Sequence, residues 1–175
     1  GRASATIDIL DVWRLPEDRF VRQWEERFTA DTLAPVILDT TERALRAAGV
    51  EPSALTTVIL DGTNPRSLAN LPRALGLAPA QVADPLAASV GRTGAAHAGL
   101  LLARALDQAK PGDRILVVCA ADGVDALLLE VTDAVKRLPP MRKVDRWIAA
   151  KRSDLAYNTY LKWRGILPFE PPRRP

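Results

Sequence analysis

Ser89-Val-Gly-Arg-Thr-Gly-Ala-Ala-His-Ala-Gly-Leu-Leu-Leu-Ala-Arg-Ala-Leu-Asp-Gln-Ala-Lys110 is the stretch from which the rest of the chain is read. A glycine-punctuated turn, Gly91-Arg92-Thr93-Gly94, opens a predicted helix of about four turns. From Ala95 to Ala109 the only polar residues are His97, Arg104, Asp107 and Gln108, the last three towards the far end. A helix that is apolar all round is buried all round, and alanine and glycine on its surface let neighbouring layers approach closely. The stretch therefore predicts a small-residue helix sandwiched between two layers, with its N-terminus aimed into a polar site. That end carries unpaired N–H groups and the positive pole of the helix dipole, which suits an anion or oxyanion. A core helix following a loop is the plainer alternative.

Working outward, Leu55-Thr-Thr-Val-Ile-Leu60 predicts a buried strand that runs into the polar turn Asp61-Gly-Thr-Asn-Pro-Arg66. A helix from about Arg66 to Leu75 follows, ended by Gly76. Gln81–Asp84 is a short extended piece. Beyond the central helix, Lys110-Pro-Gly-Asp113 is a turn, and Arg114–Ala120 and Val124–Val131 are strands joined through Asp122-Gly123, a tight-hairpin signal. Towards the N-terminus, Thr6–Val12 alternates like a strand. Asp18 caps a predicted helix to Phe28, with Phe20, Val21, Trp24 and Phe28 on one side. Asp31 caps a longer one to Ala48, closed by Gly49, with Pro35 tolerated in its first turns. The expected fold class is α/β: a β-α-β-α-β-β unit with a mixed sheet and a buried central helix, followed by a basic helical tail.

The charge supports that division. Residues 136–175 hold eleven Lys or Arg against three acidic residues, a net +8, whereas residues 1–135 hold thirteen against eighteen, a net −5. In the tail, Val144–Arg152 predicts a short basic helix, and Ser153 caps another to Arg164, closed by Gly165. Leu138-Pro-Pro140 and Pro168 to Pro175 read as linker. The tail's aromatics, Trp147, Tyr157, Tyr160 and Trp163, fall at helical spacing, which favours docking on the body or a partner over contact with nucleic acid. The chain has 47% hydrophobic and 26% charged residues, with no run of membrane-spanning length. Its single cysteine, Cys119, excludes an internal disulfide and a cysteine-rich zinc site, fits a reducing cytoplasm, and lies inside a strand as expected of a buried structural thiol. Gly1 in place of methionine is expected of a piece of a longer product.

At this point the residues carry a resemblance. Asp11-Val-Trp-Arg14 with Trp24-Glu-Glu-Arg-Phe28, Leu60-Asp-Gly-Thr-Asn-Pro-Arg66, Val90-Gly-Arg-Thr-Gly-Ala-Ala96 and the hairpin from Lys110 to Asp125 resemble, in order and spacing, the C-terminal half of the thiolase superfamily. The likeness is to 3-hydroxy-3-methylglutaryl-CoA synthase-like and ketoacyl synthase III-like proteins. The tail Tyr157–Gly165 through Glu170-Pro-Pro-Arg-Arg174 resembles the segment that precedes an OB-fold domain with a zinc ribbon in bacterial relatives. The resemblance implies acyl transfer and Claisen-type condensation on a coenzyme A thioester, with no covalently bound cofactor and no metal in this half. It also implies an N-terminal half bearing the acylated cysteine, an OB-fold zinc-ribbon partner, and a homodimer or larger complex; the docking reading of the tail and the lack of a spanning run leave neither nucleic acid nor membrane as an expected partner.

The sequence departs from that pattern at the positions that matter. Asp61 stands where the resemblance places the family's histidine, and Arg92 where it places the asparagine of Gly-Asn-Thr. Asp61 is then either a base or one member of a structural ion pair with Arg92. Arg92 offers a planar fork of donors to a carboxylate or thioester oxygen. Asn64 and Arg66 match the family and brace the turn, and with Gly91, Thr93 and Gly94 they make up the expected substrate-binding set. His97, the only histidine, is either a satisfied core residue or a third catalytic group.

Overall fold

The computed structural model describes residues 1–137, 143–152, 154–168 and 170. The chain opens with Arg2–Thr6 (β1) and a small hairpin of Val12–Trp13 (β2) and Arg22–Gln23 (β3), then enters the long helix Glu26–Ala48 (α1). Strand Thr57–Gly62 (β4) leads to two single helical turns, Pro65–Leu68 (α2) and Leu71–Ala74 (α3). The central helix His97–Leu106 (α4) precedes strands Arg114–Ala120 (β5) and Gly123–Glu130 (β6). Val144–Ala149 (α5) and Tyr157–Trp163 (α6) form the tail.

The sheet runs β1-β6-β5-β4, with β4 parallel to β5 and the other pairs antiparallel. It is the mixed sheet that the sequence predicts. Alternation along its strands splits the core in two. Val58, Leu116, Val118, Val124, Ala126 and Leu128 point to one face, where they meet Leu33, Ile37, Ala44 and Leu45 of α1. Ile59, Ile115 and Val117 point to the other, where they meet Leu101 of α4. Between β4 and α4, Val82 bridges Val58, and Ala83 donates to the Val58 carbonyl at 2.9 Å.

Several expectations shift. The strand read at Thr6–Val12 lies earlier, at Arg2–Thr6, because its register follows β6: Arg2 faces Leu127 and Thr6 faces Gly123. The helix read from Asp18 to Phe28 does not form. Asp18 instead accepts from the Leu15 amide and pairs with Arg22, holding a loop. The apolar side of that supposed helix has nothing to bury against in this chain: Phe20 is 73% exposed and Val21 63%. The longer helix starts a turn earlier than Asp31, which leaves Pro35 inside it. Burial of Thr29, Ala30 and Leu33, and a hydrogen bond from Asn64 Nδ2 to the Glu26 carbonyl at 2.9 Å, hold the turn before the proline. The helix read from Arg66 to Leu75 is broken into α2 and α3, with Pro72 inside the second.

The central helix is shorter than predicted and is covered on one face. Its N-terminal residues Gly94–Ala96 form a 3₁₀ turn. His97 and Leu101 are buried, while Ala95, Ala96, Gly99 and Ala103 are exposed. The adjoining sheet face is open as well, with Leu127 and Leu129 of β6 exposed beyond the reach of α4. The helix expected to be buried all round is therefore half covered in this chain. In the tail, α5 packs on α4, but Tyr157 and Trp163 of α6 are exposed and Leu161 is partly buried. Ser153, Leu138-Pro-Pro140 and the final prolines Pro171, Pro172 and Pro175 lie outside the described residues.

Candidate functional site

The C-terminal end of β4 and the loop leading into α4 meet at one rim of the sheet. Asp61 is the last residue but one of β4, two beyond its buried Ile59, and Arg92 precedes the Thr93-Gly94 turn of α4. Arg92 Nη2 stands 3.9 Å from Asp61 Oδ1, with the aspartate side chain 14% exposed and the arginine 44%. A pair this open contributes at most about 1 kcal/mol to stability, and the spacing leaves most of the guanidinium donors available. The loop geometry depends on backbone freedom at two of the predicted site glycines: Gly91 has φ 78 and Gly94 has φ 63.

Two cavities adjoin at this pair. One, of about 330 Å³, lies between Leu60, the α2–α3 segment and residues 82–87, and reaches His97. The other, of about 560 Å³, runs from Gly94, Ala95 and Ala98 across the sheet to Ser4 and Asp125. Asp61, Gly62 and Arg92 line both. The first turn of the central helix thus faces a cavity, and no side chain caps its start.

The remaining predicted residues separate into those that face the cavities and those that build the frame. Asn64 is 3% exposed. Its Oδ1 accepts from the Arg66 amide at 3.0 Å and its Nδ2 donates to the Glu26 carbonyl, so both ends are spent on backbone. It caps α2 and fastens that turn to α1. Arg66 is exposed on α2. His97 is 4% exposed and engaged at both ring nitrogens: Nε2 lies 2.9 Å from the Pro85 carbonyl and Nδ1 lies 3.3 Å from Thr93 Oγ1. A carbonyl only accepts, so Nε2 carries the proton, and in the neutral ring Nδ1 accepts from the threonine hydroxyl. This is the satisfied arrangement, although one edge of the ring borders the smaller cavity.

Cys119 differs from its expected buried role. Register places it beside Asp61 on β4 and opposite Asp125 on β6, in a row across the α4 face of the sheet. It is partly exposed and lines the larger cavity. Burial pushes the thiol up from its ordinary value, and the carboxylates of Asp61 and Asp125 push it further. Near neutral pH it is therefore a poor nucleophile. Asp61→Asn removes one of these charges, and the alkylation rate of Cys119 with iodoacetamide at pH 8 is expected to rise by roughly twofold or more. An unchanged rate would show that Asp61 does not act on this thiol. Nothing in the sequence singles out Asp125, which reads as an ordinary polar position in an alternating strand.

Among the described residues, no group of three or more His, Cys, Asp or Glu is placed to hold a metal ion. No helix among them is long and apolar enough to cross a membrane.

Residues 45–130 match the family model described as 3-oxoacyl-[acyl-carrier-protein (ACP)] synthase III C terminal. Hydroxymethylglutaryl-CoA synthase of Aeropyrum pernix is 30% identical over 91% of this chain and 45% of its own length. The enzyme of the same name from Methanopyrus kandleri is 30% identical over 97% of this chain and 49% of its own. The crystal structure of 3-oxoacyl-(acyl carrier protein) synthase III from Pseudomonas aeruginosa superposes with a TM-score of 0.61 at 20% identity, over 76% of this chain and 43% of that one. The chain has a thiolase-like fold, and its sequence is similar to the C-terminal domain of 3-oxoacyl-ACP synthase III and to about half of these hydroxymethylglutaryl-CoA synthases. It spans about half the length of the curated relatives it matches.

Proposed function

We propose that this chain is the acyl-CoA-handling half of a condensing enzyme in which the usual acid–base groups are replaced. Arg92 holds a carboxylate or thioester oxygen, and Asp61 orients the guanidinium. The observation that carries this reading is the open Arg92–Asp61 pair at the junction of two cavities, beside an uncapped helix start. Fixed cationic and N–H donors aimed at one point are what a developing oxyanion needs. A histidine at position 61 would donate a proton there; the aspartate is limited to accepting one or to orienting Arg92. The acylated cysteine belongs to an N-terminal half, which covers the open small-residue face of α4 and exposed Leu127 and Leu129. The assembled protein is a homodimer or larger complex. Residues 1–135 act as the half-domain and 136–175 as its docking tail.

A second reading is favoured by two observations. His97 and Asn64 spend their polar atoms inside the chain, and the tail presents Tyr157, Trp163 and Ile166 to solvent. On that reading the chain is a non-catalytic acyl-CoA-binding subunit that docks an OB-fold zinc-ribbon partner through α6.

Both readings require binding. With this half joined to its N-terminal half, calorimetric titration with acetyl-CoA is expected to show saturable binding that Arg92→Ala weakens about 10- to 100-fold, the worth of a charged hydrogen bond. Equal affinity in parent and variant would remove Arg92 from the site, and no binding by the parent would defeat both readings.

A further inference from the structure

The tail helix α5 runs along α4 and is pinned at both ends. At the C-terminal end of α4, Lys143 Nζ donates to the Asp107 carbonyl at 2.9 Å and the Val144 amide donates to Asp107 Oδ2 at 2.7 Å. One residue further along α5, Asp145 takes the guanidinium of Arg104, in the last turn of α4, at 2.8 Å. At the far end, Lys151 Nζ donates to the Ser89 carbonyl at 2.8 Å. Ile148 packs against the cluster around Leu101. The last of these bonds falls three residues before Arg92.

The segment that Lys151 grips is tightly built. Leu86, 3% exposed, has φ 55, the one non-glycine positive φ among the described residues. Such a conformation persists only where its surroundings enforce it. The Leu86 carbonyl accepts from the amides of Ser89, Val90 and Gly91 at 3.2, 2.8 and 3.3 Å. From inside, His97 Nε2 donates to the Pro85 carbonyl and its other nitrogen meets Thr93. The loop bearing Arg92 is therefore held by His97 beneath and by the tail above.

We propose that Lys151 is a positioning residue for Arg92. By fixing the Ser89 carbonyl against α5, it sets the height of the 86–91 turn, and with it the direction in which Arg92 leaves the backbone towards Asp61. The C-terminal tail thereby becomes part of the apparatus that orients the site, in addition to any docking role. This inference rests on the reading of Arg92 given above for its functional meaning, but its test uses no acyl-CoA, so the two fail separately.

The test compares the unliganded chain with Lys151→Met, Lys151→Arg and Lys143→Met. Hydrogen exchange reads the amides of Ser89, Val90 and Gly91, and a ¹⁵N spectrum reads the Arg92 Nε–H signal, assigned by its loss in Arg92→Lys. In Lys151→Met, exchange at the three amides is expected to quicken about fivefold, the worth of one exposed hydrogen bond, with β5 amides unchanged. The Arg92 signal should move towards the position of a free side chain, and Lys151→Arg should restore both. Lys143→Met, which loses a bond only at Asp107, should leave the Arg92 signal in place. The proposal is overturned if Lys151→Met leaves the loop amides unchanged, if they quicken while the Arg92 signal stays, or if Lys143→Met moves that signal equally.

Discussion

Asn64→Ala is expected to destabilise the chain by about 3 kcal/mol and to lower the midpoint of thermal unfolding by roughly 6–12 °C. The side chain is 3% exposed, and each end is bonded to backbone in a different element. Alanine removes the cap of α2, a loss of about 1 kcal/mol. It also removes the donor that ties the Glu26 carbonyl, at the start of α1, to this turn, and it leaves a small void. Asn64→Asp keeps the capping oxygen but turns the donor to Glu26 into an acceptor facing a carbonyl, so it should recover little of the loss. Thermal unfolding followed by circular dichroism measures both. A midpoint within 2 °C of the parent would mean that α1 and the β4 turn are not fastened here. The variant separates frame from chemistry: Asn64 holds the turn on which Asp61 sits, whereas Asp61 and Arg92 themselves carry little stability.

The other large effect lies on the opposite wall of the larger cavity. Gly123→Ala is expected to lower stability by about 3 kcal/mol or more and to loosen β1. A Cβ at Gly123 would collide with the Ala5 carbonyl and lie 3.1 Å from the Thr6 Cα, both backbone atoms that no side-chain rotation can relieve. Gly123 faces Thr6 in the β1–β6 register, so relief means moving the edge strand off the sheet. Hydrogen exchange should therefore quicken across β1, at amides that β6 protects, before it does in β5. Unchanged protection in β1, with an unchanged unfolding midpoint, would show that the strand has room to move aside.

How much of this was legible in the sequence follows from which residues are constrained locally. The strand–turn–helix around Asp61 and Asn64 was readable because capping and turn chemistry are local, as were the hairpin at Gly123 and the left-handed caps at Gly49 and Gly165. The convergence of Asp61 with Arg92 came from the family resemblance, since no periodicity links residues 31 positions apart. The segment from Asp18 to Phe28 misled because its apolar residues repeat at helical spacing although this chain offers them no surface. Trp24 instead meets Trp13 and Phe28, with ring centroids 5.7 and 6.2 Å away. The central helix misled in the same way: its all-round apolarity anticipates a layer that the sheet and α1 do not supply. Cys119 was misjudged because strand membership says nothing about which face of the sheet is covered.

The central claim is that Arg92, oriented by Asp61, holds the acyl thioester at a site with no proton donor in the histidine's place. It is tested most directly by joining this half to its N-terminal half and measuring acyl-CoA condensation in the parent, Asp61→Ala and Arg92→Ala. Thermal unfolding confirms that each variant is folded, as the weak stabilisation by the pair predicts. The account predicts acyl-CoA binding with slow condensation in the parent, lost together with binding in Arg92→Ala and reduced in Asp61→Ala. Parent-level condensation in both variants would contradict it, because the reaction would then proceed without the two residues on which the site is built.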